Sequence, residues 1–251
     1  MNRMLVLGTE IDRISFSGAI ERSLALMDRR RGDYVVTPNT EILLKARKNA
    51  ALSAAIRSSA LSLPDGIGIQ IAARILGVPI SERITGIDFA SALLLQMARE
   101  EKSVFLLGAK DGVAERAGSA LCEAYPGLVL SGTANGYADV AEEEKLVRRI
   151  NRCAPDLLIV CLGTPKQELW MSRNASRLHV GLMAGLGGAL DIFSGDAKRA
   201  PEAWRDHGLE WLFRLIREPG RLPRIVGLPR IIPAAVWQRI GGKHRQWEEE
   251  S

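Results

Sequence analysis

Short apolar runs alternate along the chain with longer stretches in which apolar residues recur every three or four positions. MLVLG (4–8), YVVT (34–37), ALSL (60–63), SVFLLG (103–108), LVLSG (128–132), LLIVCLG (157–163) and VGLMAG (180–185) read as strands. Several are apolar throughout, as expected of parallel strands covered on both faces. Helical periodicity fills 17–30, 40–58, 67–76, 88–101, 111–124, 141–152 and 166–177. Strand and helix in this alternation predict an α/β fold, a doubly wound, mostly parallel, Rossmann-like sheet with helices on both faces. After residue 195 the strand pattern stops. Helical runs cut by Pro201, Pro219, Pro223, Pro229 and Pro233 predict a helical C-terminal appendage. The reading is therefore an α/β domain over 1–195 and an appendage over 196–251.

In open sheets of this class, ligands bind at the carboxyl ends of the strands. Four predicted strand ends bring small or hydrogen-bonding residues to that rim. Thr37 and Asn39 follow YVVT, and Asp65 and Gly66 follow ALSL. Gly163, Thr164 and Lys166 to Glu168 follow LLIVCLG, and Gly185 to Asp191 follow VGLM. Each has a structural reading beside a chemical one. Asp65 opens a helix, so it suits an N-cap; a carboxylate at a strand end also suits a general base that takes a proton from an attacking hydroxyl. Asn39 and Thr164 read equally as N-caps, and Glu168 as a first-turn surface acid. The amides of GTPKQE and Lys166 could meet a phosphate.

Charge changes the picture in the tail. The 251 residues carry a net charge of +5, with eight basic residues and the single acid Glu218 between 211 and 245. Interleaved with Trp211, Phe213, Ile231, Ile232 and Trp237, this segment fits an anionic membrane surface. Nucleic acid is the competing partner, and a solvated helical face the structural alternative. Cys122, Cys153 and Cys161 show no metal or redox spacing and read as reduced thiols of a cytosolic protein. The N-terminal apolar run is too short for a signal peptide, and no stretch reaches membrane-spanning length.

Several chemistries lose support. GLGGAL (185–190) and GIGIQI (66–71) lack the third glycine of a dinucleotide fingerprint, and no Walker A loop is present. There is no Asp-x-Asp, and none of His179, His207 and His244 stands at ligand spacing with another, so no metal is expected. A departing diphosphate would then rely on Arg, Lys, amides or helix dipoles. No Gly-x-Ser-x-Gly elbow supports nucleophilic hydrolysis.

TPNTEIL (37–43), LPDGIGI (63–69), ERITGIDF (82–89), FLLGAKDGVAERA (105–117), GTPKQELW (163–170), GLGGALDIFSGDAKRAP (185–201) and GLEWLFRLIREPGRLPR (208–224) together resemble the WecG/TagA/CpsF family of bacterial glycosyltransferases, in order and over nearly the whole chain. Pro64 before Asp65 is closer to the TagA branch. The resemblance implies transfer of an N-acetylmannosamine-type sugar from a UDP donor to N-acetylglucosamine on a polyprenyl diphosphate, with inversion and no cofactor or metal, peripherally on the cytoplasmic membrane face. It implies Asp65 as general base, with Thr37, Asn39 and Arg83 beside it. It also implies that Gln167 lines the site and that Arg214, Arg221 and Arg224 complete the pocket and favour the membrane. Beyond the resemblance, we expect Gly66, Gly163, Lys166 and Gln167 to hold donor or phosphate, Tyr137 and Asp191 the uracil and ribose, and the three arginines to offset charge on the departing diphosphate. UDP-linked N-acetylmannosaminuronic acid is the alternative donor. An NAD-dependent nucleotide-sugar enzyme and a non-catalytic nucleotide-sugar binder are the more distant readings, and homo-oligomerisation stays open.

Overall fold

The computed structural model describes residues 3–78, 80, 82–136, 140–217 and 228–241, without the side chains of Val140, Ala141, Asp206, Arg214 and Leu228. The elements run β1 (Arg3–Val6), β2 (Thr9–Asp12), α1 (Phe16–Met27), β3 (Asp33–Val36), α2 (Thr40–Ala46), α3 (Ala50–Arg57), β4 (Leu61–Ser62), α4 (Ile67–Leu76), α5 (Gly86–Arg99), β5 (Ser103–Gly108), α6 (Val113–Ala124) and β6 (Val129–Ala134). They continue as α7 (Val140–Cys153), β7 (Leu157–Cys161), α8 (Lys166–Asn174), β8 (Leu182–Gly185), α9 (Ala189–Phe193), α10 (Glu202–Asp206), α11 (Glu210–Arg217) and α12 (Ile231–Ile240), the last preceded by a 3₁₀ turn over Leu228–Arg230.

Six strands form one parallel sheet in the order β4-β3-β8-β7-β5-β6. Alternation along each strand explains why both faces read as apolar. Val35, Val104, Leu106, Leu157, Ile159, Leu182 and Ala184 point into one core with α1, α5, α6 and α9. Their neighbours Tyr34, Val36, Phe105, Leu107, Leu158, Val160 and Met183 point into the other with α2, α3, α7 and α8. A fully buried Leu or Phe at such a position contributes about 1.5–3 kcal/mol, so neither face tolerates a polar stripe.

Two expectations change in detail. The first apolar run does not join the parallel sheet; β1 pairs antiparallel with β2, a strand the apolar pattern did not mark. This hairpin covers the outer edge of β4, where the buried Asp12 accepts the Ser62 amide at 2.7 Å and pairs with Arg3 at 3.1 Å. A charged side chain thus occupies a ladder position that an unpaired edge would expose. The helix expected over 40–58 is two helices. Asn49 starts the second by accepting the Leu52 amide at 3.0 Å, a local cap that competes with continued helix.

A third apolar cluster lies beyond the β4 edge. Met4, Val6 and Ile11 of the hairpin meet Ile69, Ala72, Ala73 and Leu76 of α4 and Ile231 and Ala235 of α12. The C-terminal helix therefore packs on α4, and Arg239 donates to the Ile75 carbonyl at 2.8 Å. On its outer side Ile232, Val236, Trp237 and Ile240 are exposed. Among the described residues, no helix is long and apolar enough to cross a membrane.

Candidate active site

The helices after β3 lie on one face of the sheet and α9, after the adjacent β8, on the other. Connections that diverge in this way open a crevice at the carboxyl ends of the strands. A cleft of about 220 Å³ lies there, walled by the ends of β3, β4 and β8, the loop before α5, and the α10–α11 turn. Its lining includes Asn39, Thr40, Glu41, Asp65, Arg83 and Thr85.

Backbone hydrogen bonds fix the loops that carry these groups. The Leu63 amide donates to the Val36 carbonyl at 2.9 Å, extending the β3–β4 pairing past the strand. Next the Asp65 amide donates to the Pro38 carbonyl at 3.0 Å, and the Ile84 amide to the Pro64 carbonyl at 3.1 Å. Asp65 is therefore held by its neighbours' main chains and sits half-buried in the cleft wall. It does not cap α4: the cap residue is Gly66, with no side-chain cap hydrogen bond. Gly66 has φ +88°, a left-handed conformation that glycine adopts without strain. Gly68 is constrained by space instead, since a Cβ there would stand 2.0 Å from Thr40 Oγ1.

The other expected residues fall into three groups. Asn39 and Arg83 join Asp65 and Gly66 in the cleft wall. Asn39 is also the N-cap of α2, its Oδ1 accepting the Ile42 amide at 3.1 Å. Arg83 donates Nη2 to the Arg205 carbonyl at 2.7 Å, so the strand-side loop grips α10.

A second group lies behind or beside this wall. Thr37 is buried, and its hydroxyl donates to the Gly185 carbonyl at 3.0 Å, tying β3 to the end of β8. Gln167 is only 2 % exposed; its Oε1 accepts the Gly187 amide at 3.0 Å and its Nε2 donates to Glu168 Oε1 at 2.9 Å. Gly163 has φ +73° with open space where a Cβ would stand, and Lys166 is exposed at the start of α8. Asp191 is half-buried in α9, with Oδ2 3.4 Å from the position of a Gly188 Cβ. The third group lies outside the described residues: Tyr137, Arg221, Arg224 and the side chain of Arg214.

Several contributors to the cleft were not assigned to it from sequence. Glu41 and Thr40 follow Asn39 directly, and Glu210 and Trp211 come from the appendage side. The surface reading of Glu168 is corrected: it has no exposed area. Its Oε2 accepts the Thr164 hydroxyl at 2.9 Å, so Thr164 serves Glu168, while the cap residue of α8 is Pro165. Only the fold reveals this, because nothing in GTPKQE distinguishes an inward glutamate from an outward one.

The charges are arranged with some economy. Burial pushes the Glu168 carboxyl above its usual range, against the ionised form favoured by Thr164 and Gln167. Burial also acts to raise Asp88, but hydrogen bonds from Arg199 and Thr85 and the charges of Arg199 and Arg205 outweigh it and hold that carboxyl low. Arg199 approaches Asp88 at 2.5 Å and Arg205 at 3.9 Å, fastening the segment after α9 to the first turn of α5. Burial pushes the Cys161 thiol up to about 12, so it offers no nucleophile at the rim. Among the described residues, no group of three or more His, Cys, Asp or Glu could hold a metal ion.

Comparison with known proteins bears on what the cleft does. The family described as "Glycosyl transferase WecG/TagA/CpsF family" matches residues 4–245. Over 210 residues the chain is 32% identical to an N-acetylglucosaminyldiphosphoundecaprenol N-acetyl-beta-D-mannosaminyltransferase of Bacillus spizizenii, covering 84% of this chain and 81% of the relative. The Bacillus subtilis protein of the same name is 34% identical over 204 residues, covering 81% and 79%. A third, from Staphylococcus aureus, is 31% identical over 226 residues, covering 89% and 88%.

Proposed function

The chain belongs to the WecG/TagA/CpsF glycosyl transferase family, and we propose that it moves N-acetylmannosamine from UDP-N-acetylmannosamine to the 4-hydroxyl of N-acetylglucosamine on undecaprenyl diphosphate. The names of the relatives support the transferred sugar and the lipid-linked acceptor. The observation that carries the mechanism is the placement of Asp65, half-buried in the wall of a cleft at the carboxyl ends of the strands.

In this reading Asp65 takes the proton from the acceptor hydroxyl as its oxygen forms the new bond to the anomeric carbon. The bond to UDP breaks on the opposite face, so the anomeric configuration inverts. Glu41, Asp65 and Glu210 outnumber Arg83 among the charged residues lining the cleft, an environment better suited to sugar hydroxyls than to a diphosphate. Stabilisation of the departing charge falls to the neighbouring rim at Gly163 and Lys166 and to Arg214, Arg221 and Arg224, with Tyr137 and Asp191 at the nucleoside. The absence of Asp-x-Asp favours metal independence. The exposed apolar face of α12 beside Arg230 and Arg239 suits peripheral contact with the inner membrane face.

The test is Asp65→Asn. Loss of a general base typically lowers the rate ~10²–10⁴-fold, and UDP binding measured calorimetrically should persist. Mass spectrometry of the product from a short-chain lipid acceptor and a panel of UDP-sugars identifies the donor. Turnover near that of the parent would end the assignment of Asp65. Activity lost with a chelator and restored by magnesium would end the metal-independent mechanism.

A further inference from the structure

Glu168 is a fully buried carboxylate that the reaction above does not use, and both of its oxygens are engaged. Oε2 accepts from the Thr164 hydroxyl and Oε1 from Gln167 Nε2, each at 2.9 Å. The other end of the Gln167 amide accepts from the Gly187 amide at 3.0 Å. The orientation of that side chain is fixed by chemistry: a carboxylate needs a donor and a backbone N–H needs an acceptor, so only one flip satisfies both. Gly187 lies in the β8–α9 loop between Leu186 and Gly188, both in the cleft wall. A second branch leaves through Thr164. Its carbonyl accepts from Lys45 Nζ at 3.2 Å, and the same ammonium holds Glu41, also in the cleft wall, at 2.6 Å. Space is reserved for the pair, since a Cβ on Gly185 would stand 3.2 Å from Gln167 Nε2 and 2.6 Å from Met171 Cε.

We propose that Gln167 and Glu168 are positioning residues, a buried donor–acceptor pair that sets the β8–α9 loop and, through Thr164 and Lys45, the Glu41 carboxylate, and that touches no substrate. This rests on the transferase reading for its activity arm only. It gives Gln167 a task different from the donor or phosphate contact expected from the sequence. One N–H of the amide is engaged by Glu168 and its oxygen by Gly187, and the side chain is buried and is not part of the cleft lining.

The pair can be tested by reversing its polarity. Gln167→Glu alone sets two carboxylates against each other 2.9 Å apart in a closed site. The double variant Gln167→Glu/Glu168→Gln restores every bond: the amide at 168 donates to the carboxylate at 167, which still accepts from Gly187, and Thr164 donates to the amide oxygen. Three quantities are read on the full chain: thermal midpoint, hydrogen-exchange protection of the Gly187 amide, and transfer from UDP-N-acetylmannosamine to a short-chain lipid-linked N-acetylglucosamine. The single variant should lose protection at Gly187 and about 10²-fold in turnover, the scale of a small misplacement of reacting groups. The double variant should recover all three.

A double variant that regains its thermal midpoint and Gly187 protection but not turnover would place Gln167 on the substrate and overturn the proposal. Failure to regain midpoint and protection would overturn the hydrogen-bond arrangement itself. If the parent transfers no sugar from any UDP donor, the functional reading fails, while midpoint and protection still decide the network.

Discussion

Gly68→Ala tests how closely the cleft depends on the approach of two helices. The added Cβ would stand 2.0 Å from Thr40 Oγ1, 3.2 Å from Thr40 Cβ and 3.5 Å from Thr40 Cγ2. Optimal contacts are roughly 3.5 Å or more, so relief requires a shift of about 1.5 Å. Rotating the Thr40 hydroxyl away would leave the 3.2 Å contact in place. Thr40 is buried at the start of α2, so neither helix has free space to yield. Overpacking of this kind costs about 1–3 kcal/mol, offset by up to about 1 kcal/mol because Ala favours helix over Gly. The net loss of about 1–2 kcal/mol should lower the thermal midpoint by about 2–8 °C. The displacement also carries Asp65 and Gly66 at the mouth of α4, so turnover should fall about 10²-fold. Thr40→Ala removes the clashing oxygen and leaves a contact that closes with a few tenths of an ångström. The two substitutions together should therefore be less harmful than their sum, by about 1 kcal/mol in a double-mutant cycle from urea denaturation. Additivity within about 0.5 kcal/mol, or an unchanged midpoint in the single variant, would refute the steric reasoning.

Two further predictions concern the segment after α9. Asp88→Asn should destabilise the protein by about 1 kcal/mol or less at neutral pH, since the side chain is 42% exposed and its pairing with Arg199 is partly screened. Because the folded protein holds this carboxyl low, its contribution is present above the unfolded pKa and disappears as pH falls through the folded one. The difference in thermal midpoint from the parent should narrow as the solution is acidified below about pH 4; a constant gap would show that charge is not its origin. Trp237→Ser/Ile240→Ser removes apolar side chains that are 68% and 79% exposed on α12. Partitioning into anionic vesicles should fall by at least tenfold, roughly the effect of withdrawing one large apolar side chain from an apolar phase, whereas unchanged co-sedimentation would move the membrane contact elsewhere.

The particular elements show where sequence was informative. Runs such as LLIVC and SVFLL carry an unambiguous message, because apolar residues on both sides of a strand can only be accommodated between two helical layers. Strand–helix alternation then implied the rim, and the rim brought together Asn39, Asp65 and Gly66. The hairpin strand TEID escaped notice because two of its four residues, Glu10 and the buried Asp12, are charged and its pairing partner is supplied by β1 rather than by the sheet. The break at Asn49 also lies in an otherwise helical pattern, where one side-chain cap decides the outcome.

Sequence by itself determined the layered parallel architecture, the rim at the carboxyl ends of its strands, and the aspartate there, at the end of β4. These follow from local periodicity and from the fixed handedness of strand–helix–strand connections, which act over tens of residues. Only the tertiary structure decided which polar groups face the cleft and which face inward. It turned Thr37 and Gln167 toward the backbone of β8 and the loop after it, closed Glu168 off from solvent, and brought Glu41 and Trp211 to the cleft wall. Such choices depend on the donors and acceptors that distant segments supply across a closed interior, and no periodicity within one segment encodes them.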